Sequence, residues 1–153
     1  MTELFFAAIF VLSTVIMIDE FYFHWKRNLP RWERLGHPLD TFSLLIPIGI
    51  LAFSKKTSSS EGIYVIASIL SCLCITKDEW VHTRFSGATE NWLHSLLFIV
   101  HPTVLMSGYF VWGEHLIVIR FFFFTVFFFG FYQFIFWNFY ADRILGQAEA
   151  GRQ

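Results

Sequence analysis

Residues 121–140 read FFFFTVFFFGFYQFIFWNFY, a run with no charged side chain in which Thr125, Gln133 and Asn138 interrupt an aromatic and aliphatic series. A bilayer core is crossed by roughly 20 apolar helical residues, so this stretch reads as a membrane span and the fold is built in lipid. The whole chain agrees: of its 153 residues 56% are hydrophobic and 21% aromatic, and the mean hydropathy is +0.55, more apolar than a soluble domain of this length requires. Charged residues make up 15% and the formal net charge is -1. That leaves no basic surface of the kind nucleic acid would need.

Outward from this span, apolar runs recur at Leu4–Phe23, Thr41–Phe53, Gly62–Thr76 and Trp92–Trp112, and the last run itself extends over Leu116–Tyr140. The expectation is an all-α polytopic transmembrane helical bundle of about five spans, forming one integral-membrane domain over residues 1–153. The first three runs are shorter than a bilayer demands. They must therefore draw in flanking residues such as Asp19, Glu20, Asp40, Asp78 and Glu79, which places carboxylates at or inside the membrane boundary. The first run has no basic segment before it and is followed by Lys26, Arg27, Arg31 and Arg34, the reverse of a cleavable secretory signal, so it reads as a retained span. Cys72 and Cys74, two apart on a helix, point to different faces and do not suit a disulfide. Lys55–Glu61 reads as a loop and Ala148–Gln153 as a frayed tail. The Phe-rich last span reads as a lipid-facing or packing helix.

Positive residues are retained on the cytoplasmic side. With the N-terminus outside, the inner segments hold Lys26, Arg27, Arg31, Arg34, Lys77, Arg84, Arg143 and Arg152, and the outer ones only Lys55, Lys56 and Arg120. The expected location is thus the cytoplasmic membrane, multi-pass, with the C-terminus inside. Trp25, Trp32, Trp80 and Trp92 fall near the same inner boundary, as belt residues do.

The polar residues repeat. Asp19, Glu20, His24, Glu33 and His37 in the first half are matched by Asp78, Glu79, His82, Glu90 and His94 in the second. The offsets are 59 (19 to 78), 58 (24 to 82) and 57 (33 to 90, 37 to 94). The expectation is two parallel helical-hairpin repeats, about 4–53 and 62–112, followed by the C-terminal helix at about 116–140, related by a pseudo-two-fold axis along the membrane normal. On helices, Glu20 and His24, Asp78 and His82, and Glu90 and His94 are four apart, Glu79 and His82 three apart, and each pair shares a face. His101 lies two turns beyond His94 on the same face.

Acids and imidazoles converging from several helices are the ligand set of a dinuclear iron or manganese centre, and Glu79-Trp80-Val81-His82 has the Glu-x-x-His form of carboxylate-bridged bundles. The expected metal ligands are Glu20, His24, His37, Glu79, His82, Glu90, His94 and His101, with Asp19, Asp40 and Asp78 in supporting positions. Each acid taken singly also reads as an interfacial acid paired with a nearby Lys or Arg. His37 beside Pro38 also suits a helix cap, and His101 beside Pro102 suits a carbonyl freed by proline. Ionisable groups inside spans are costly and mark function by default, which favours ligation for the set as a whole.

In chemistry these residues resemble the histidine-rich centres of integral-membrane desaturases and hydroxylases, without their His-x-x-His-His box and in a far shorter chain. Glu20-x3-His24-x12-His37 is also similar to an Asp-x3-His-x12-His copper-site pattern in one subunit of membrane methane and ammonia monooxygenases, with the acid exchanged. The function expected is a di-iron-type oxidoreductase acting on a lipid or other membrane-dissolved substrate, with two iron ions (manganese or zinc being alternatives) and an electron donor. A zinc hydrolase or isomerase is a variant of the same site. The other classes are a metal or proton transporter and a haem protein with two axial histidines. Against transport, the acids and histidines crowd one face; against haem, a carboxylate accompanies every histidine pair.

The orientation has a direct check. A single cysteine placed at Ser58 should be modified by an impermeant reagent added outside cells, and one placed at Asn28 should not; the opposite pattern would invert the topology.

Overall fold

The computed structural model describes residues 1–77, 79, 84 and 86–150, with side-chain surroundings up to residue 145. The described residues form helices joined by turns, with no strand among them. Helix α1 runs over Thr2–Arg27, α2 over Glu33–Phe53, α3 over Ser58–Cys74, α4 over Ala88–Phe110 and α5 over Leu116–Leu145, its axis continuing to Ala150. All but α3 are long and apolar enough to cross a membrane; α3 has 17 residues. The chain is a helical membrane protein.

The helices begin and end where the length argument requires. α1 continues through Asp19, Glu20 and His24 to Arg27, and α2 starts at Glu33, eight residues before the apolar run at Thr41, so acids and histidines are carried into the spans. Asn28 stops α1 at φ 59, and its side-chain oxygen accepts from Leu29 N–H at 2.9 Å. With ψ at 144 the residue lies outside the helical regions of either hand, so the chain leaves the helix here. Pro38 lies inside α2 and offers no N–H to the carbonyl of Arg34 four residues earlier. Asn138 of α5 fills that gap, donating to Arg34 O at 3.1 Å.

Neighbouring helices run antiparallel. Near the end of α1, Asp19 meets His94 close to the start of α4, while Phe5 lies against Gly108 at the far end of the same pair. Likewise Thr41 of α2 meets Gln133 of α5 at one end, and the Ala52 carbonyl meets Arg120 at the other. α2 packs most extensively on α5, α1 on α4, and α3 against α2. The half of the bundle that holds the N-terminus is an apolar core around Phe5, Leu12, Ile48, Leu51, Tyr64, Val104 and Ile119. At the other end a small cluster of Leu29, Trp137 and Ala141 pins the α1–α2 turn beneath α5, and Arg34 spans from Leu29 O to the carboxylate of Asp142.

Two glycines mark the closest approaches. A Cβ at Gly108 would lie 2.8 Å from Leu51 Cδ1, and one at Gly130 would lie 2.8 Å from the Phe42 ring and 3.1 Å from Thr41 Cγ2. Small residues at helix contacts are how membrane bundles gain packing when lipid supplies no hydrophobic drive. Gly108→Val and Gly130→Val should each destabilise the bundle by ~1–3 kcal/mol through overpacking. Gly62→Ala, where a Cβ meets nothing within 4 Å, should not. Thermal unfolding in detergent compares the three.

Candidate metal centre

The end of α1 does not keep α-helical winding. Asp19–His24 is a π-helical segment, in which hydrogen bonds close over five residues instead of four. The wider turn brings residues five apart together, so His24 Nε2 reaches Asp19 Oδ2 at 3.0 Å. Glu20, four residues before His24, still meets its other nitrogen, Nδ1, at 3.4 Å. One imidazole is thus held between two consecutive carboxylates.

α4 completes the cluster. Its first turns carry Glu90 and His94 on one face, and His94 Nε2 lies 3.1 Å from the same Asp19 Oδ2. Asp19, His24, Glu90 and His94 are all buried, and one ligand atom from each lies within 4.8 Å of the others. Atoms bound to one ion at about 2.0–2.2 Å lie at most about 4.4 Å apart, so a contraction of a few tenths of an ångström would seat a divalent metal. Asp19 Oδ1 is buried with no hydrogen-bond partner among the described residues, a costly state for a carboxylate oxygen. The donor set of two carboxylates and two imidazoles suits iron, manganese or zinc.

The surroundings orient these groups. Glu20, 1% exposed, accepts from Trp137 Nε1 at 2.6 Å and Gln133 Nε2 at 3.0 Å, both on α5. With its contact to His24 Nδ1, this makes a carboxylate–histidine arm of the kind that fixes the tautomer and orientation of a metal-binding imidazole. Arg27 joins Glu33 and Glu90, at 2.7 and 2.9 Å. Its contact with Glu90 is to Oε1. Four carboxylates, of Asp19, Glu20, Glu33 and Glu90, are buried here, and Arg27 pairs with two of them, Glu33 and Glu90. Asp19, which faces His24 and His94 and keeps Oδ1 without a partner among the described residues, is the carboxylate that a protonated imidazole or a bound cation would answer.

The expected ligands therefore separate into several places. His24, Glu90 and His94 lie together with Asp19, which the sequence placed only in support. Glu20 stands behind His24 instead of beside the open Asp19 oxygen. His37 packs its ring on that of His24 at 4.4 Å and approaches Glu33 at 3.8 Å. Asp40 pairs with Lys77 at 2.7 Å. His101 lies deeper, bonded through Nε2 to Ser71 Oγ at 2.9 Å. Glu79 is helical and half-buried, and borders a cavity beside the cluster. Asp78 and His82 lie outside the described residues. The sequence reading missed Gln133 and Trp137 as partners of Glu20. The signal for them was present, since an amide and an indole are the polar handles of an otherwise Phe-rich span, and buried handles find partners.

The cavity lies along the bundle axis among α1, α2, α4 and α5, with a volume of about 160 Å³. Asp19, His37 and His94 border one end, and Leu12, Leu44, Phe122 and Val126 form its apolar walls. The fold and this cluster define a helical membrane protein with a buried acid–histidine site opening onto an apolar chamber. Comparison with protein-family models, with curated proteins and with solved structures gives no match, so the site's own geometry carries the argument.

The arm behind His24 can be tested separately from the cluster. Trp137→Phe leaves Glu20 Oε1 buried without its donor, and should cost ~1–3 kcal/mol of stability. Tyr132→Phe should cost less, because the Tyr132 hydroxyl makes no hydrogen bond among the described residues. Unfolding in detergent distinguishes them.

Proposed function

We propose that this protein is an integral-membrane metalloprotein holding divalent iron through Asp19, His24, Glu90 and His94, and that it acts as an oxidoreductase on a lipid or other bilayer-dissolved molecule. The observation that carries this reading is the buried four-residue cluster with an unpartnered carboxylate oxygen at Asp19. Manganese and zinc suit the same donors. A transition metal would supply Lewis acidity and, as iron, one-electron chemistry with open coordination positions. The chain's own contribution is to orient the imidazoles, with Glu20 holding His24 Nδ1, to pair Glu90 with Arg27, and to line the approach with apolar walls.

The internal repeat supports a second ion. Carrying Asp19 and His24 forward by 59 and 58 gives Asp78 and His82, and carrying Glu90 and His94 back by 57 gives Glu33 and His37. Glu33 and His37 approach to 3.8 Å, and His37 stacks on His24, so the described half of the second set adjoins the first. Two irons bound across a pseudo-two-fold axis would draw one acid and one histidine from the first helix of one repeat, and one of each from the second-helix region of the other. Under this reading the cluster lies at the cytoplasmic face, where the Lys/Arg bias puts it.

Elemental analysis of detergent-purified protein tests the proposal. The parent should carry one to two irons per chain without a Soret band. Asp19→Asn and His94→Ala should each lose at least the ion at the described cluster, while Asp142→Asn, whose partner is Arg34, should keep the full content. Metal should also be released as pH falls through the range in which imidazoles protonate, since only the neutral ring offers a lone pair. Retained metal in a folded Asp19→Asn, His94→Ala double variant would sink the assignment.

A further inference from the structure

His101 is 4% exposed, deep in α4, and outside the metal cluster. Its Nε2 is tied to Ser71 Oγ at 2.9 Å, and Ser71 in turn lies 3.1 Å from Ser43 Oγ. Its other nitrogen, Nδ1, has no hydrogen-bond partner among the described residues, and the residue borders the axial cavity. A buried imidazole with one nitrogen anchored and the other unpartnered beside a cavity is a built hydrogen-bonding position.

The cavity's size and its two ends restrict what could use that position. At about 160 Å³ it is close to the roughly 150 Å³ apolar cavity known to take benzene, and below the range of typical drug-sized pockets. His94 and His101 are seven residues apart on α4, about 10 Å along the axis. A six-membered ring with oxygens on opposite edges, about 5 Å from oxygen to oxygen, together with a hydrogen bond of about 3 Å at each end, has a length of the same order as this two-turn rise. The Phe122 and Phe129 side chains on the wall suit the faces and edges of such a ring. A hydrocarbon tail would make no use of His101. Ser43 donates to Asp40 O, so Ser71 donates to Ser43 and accepts from Nε2, which leaves a lone pair on Nδ1 for a ring hydroxyl; turning the Ser71 hydroxyl from Ser43 to Nε2 puts the proton on Nδ1 for a ring carbonyl.

We propose that the axial cavity binds the ring of a bilayer-dissolved quinone or its quinol, with one ring oxygen on His101 Nδ1 and the opposite edge toward the Asp19–His94 cluster. The assignment names the ligand class of the chamber in the function proposed above and rests on that reading for its role, but not for its binding chemistry.

Full-length, iron-loaded protein in detergent is titrated with trimethylbenzoquinone and, separately, with the quinol, reading the quenching of Trp137, which is bonded to the cavity residue Glu20. Saturable binding of both forms at one site per chain is expected. His101→Ala should weaken it about tenfold, one hydrogen bond's worth, with iron content unchanged. His101→Gln, which keeps a donor and an acceptor, should lose less and guards against a folding defect in the alanine variant. Val126→Phe should fill the chamber and remove binding while keeping iron. Excess dodecanol should not displace the quinone. Absence of saturable binding to the iron-loaded parent, unchanged affinity in both His101 variants, or displacement by dodecanol would each overturn the assignment. A parent that binds the quinone through His101 but takes up no metal would refute the metal reading alone.

Discussion

The carboxylate of Asp19, buried and shared between His24 and His94, is the interaction on which the polar end of the bundle depends. It joins α1 to α4 at the end where both helices would otherwise present unpaired polar groups to lipid. The centre of a bilayer charges roughly 2.5–3.5 kcal/mol for an ionised side chain on a helix, so an acid at this depth persists only if its surroundings answer it. The π-helical turn over Asp19–His24 is the local means of doing so. It places two successive acids on the two nitrogens of one imidazole, an arrangement that regular α winding would not give.

The rest of the polar end serves that arrangement. α5 supplies the indole of Trp137 and the amide of Gln133 to Glu20, and Thr41 donates to the Gln133 oxygen, orienting the amide. Asn138 takes up the carbonyl that Pro38 leaves free, which lets α2 begin about two turns ahead of its apolar run, in polar sequence, and so carry His37 against His24. Arg27 ties Glu33 to Glu90, closing the group from the side of the α1–α2 turn. The consequence is a buried polar layer over an apolar chamber, with the Asp19 Oδ1 atom left unpartnered among the described residues.

Much of this was legible in the residues. Hydropathy placed five helices, and the mismatch between short apolar runs and bilayer thickness foretold that acids would be drawn into the spans; α1 and α2 extend through Asp19, Glu20, His37 and Asp40 as that argument requires. The pairing of Glu90 with His94 followed from helical spacing alone. What was not legible traces to particular physics. A pattern argument at 3.6 residues per turn pairs Glu20 with His24 and leaves Asp19 aside, and the π segment reverses their roles. The face shared by His94 and His101 is real, yet Ser71 on another helix draws His101 into a separate environment. α5 read as a packing helix because aromatic residues dominate it, whereas its two polar handles face the site.

The account's central claim is that the buried acid–histidine cluster holds a metal through Asp19 and His94. X-ray absorption at the iron edge of the reconstituted protein tests it most directly. The account predicts a first shell of oxygen and nitrogen near 2.0–2.2 Å with outer scattering from imidazole, and a loss of the imidazole contribution in proportion to the iron lost from His94→Ala. Iron spectra identical in the parent and in folded Asp19→Asn and His94→Ala proteins, or a folded parent that retains no metal after dialysis, would contradict it.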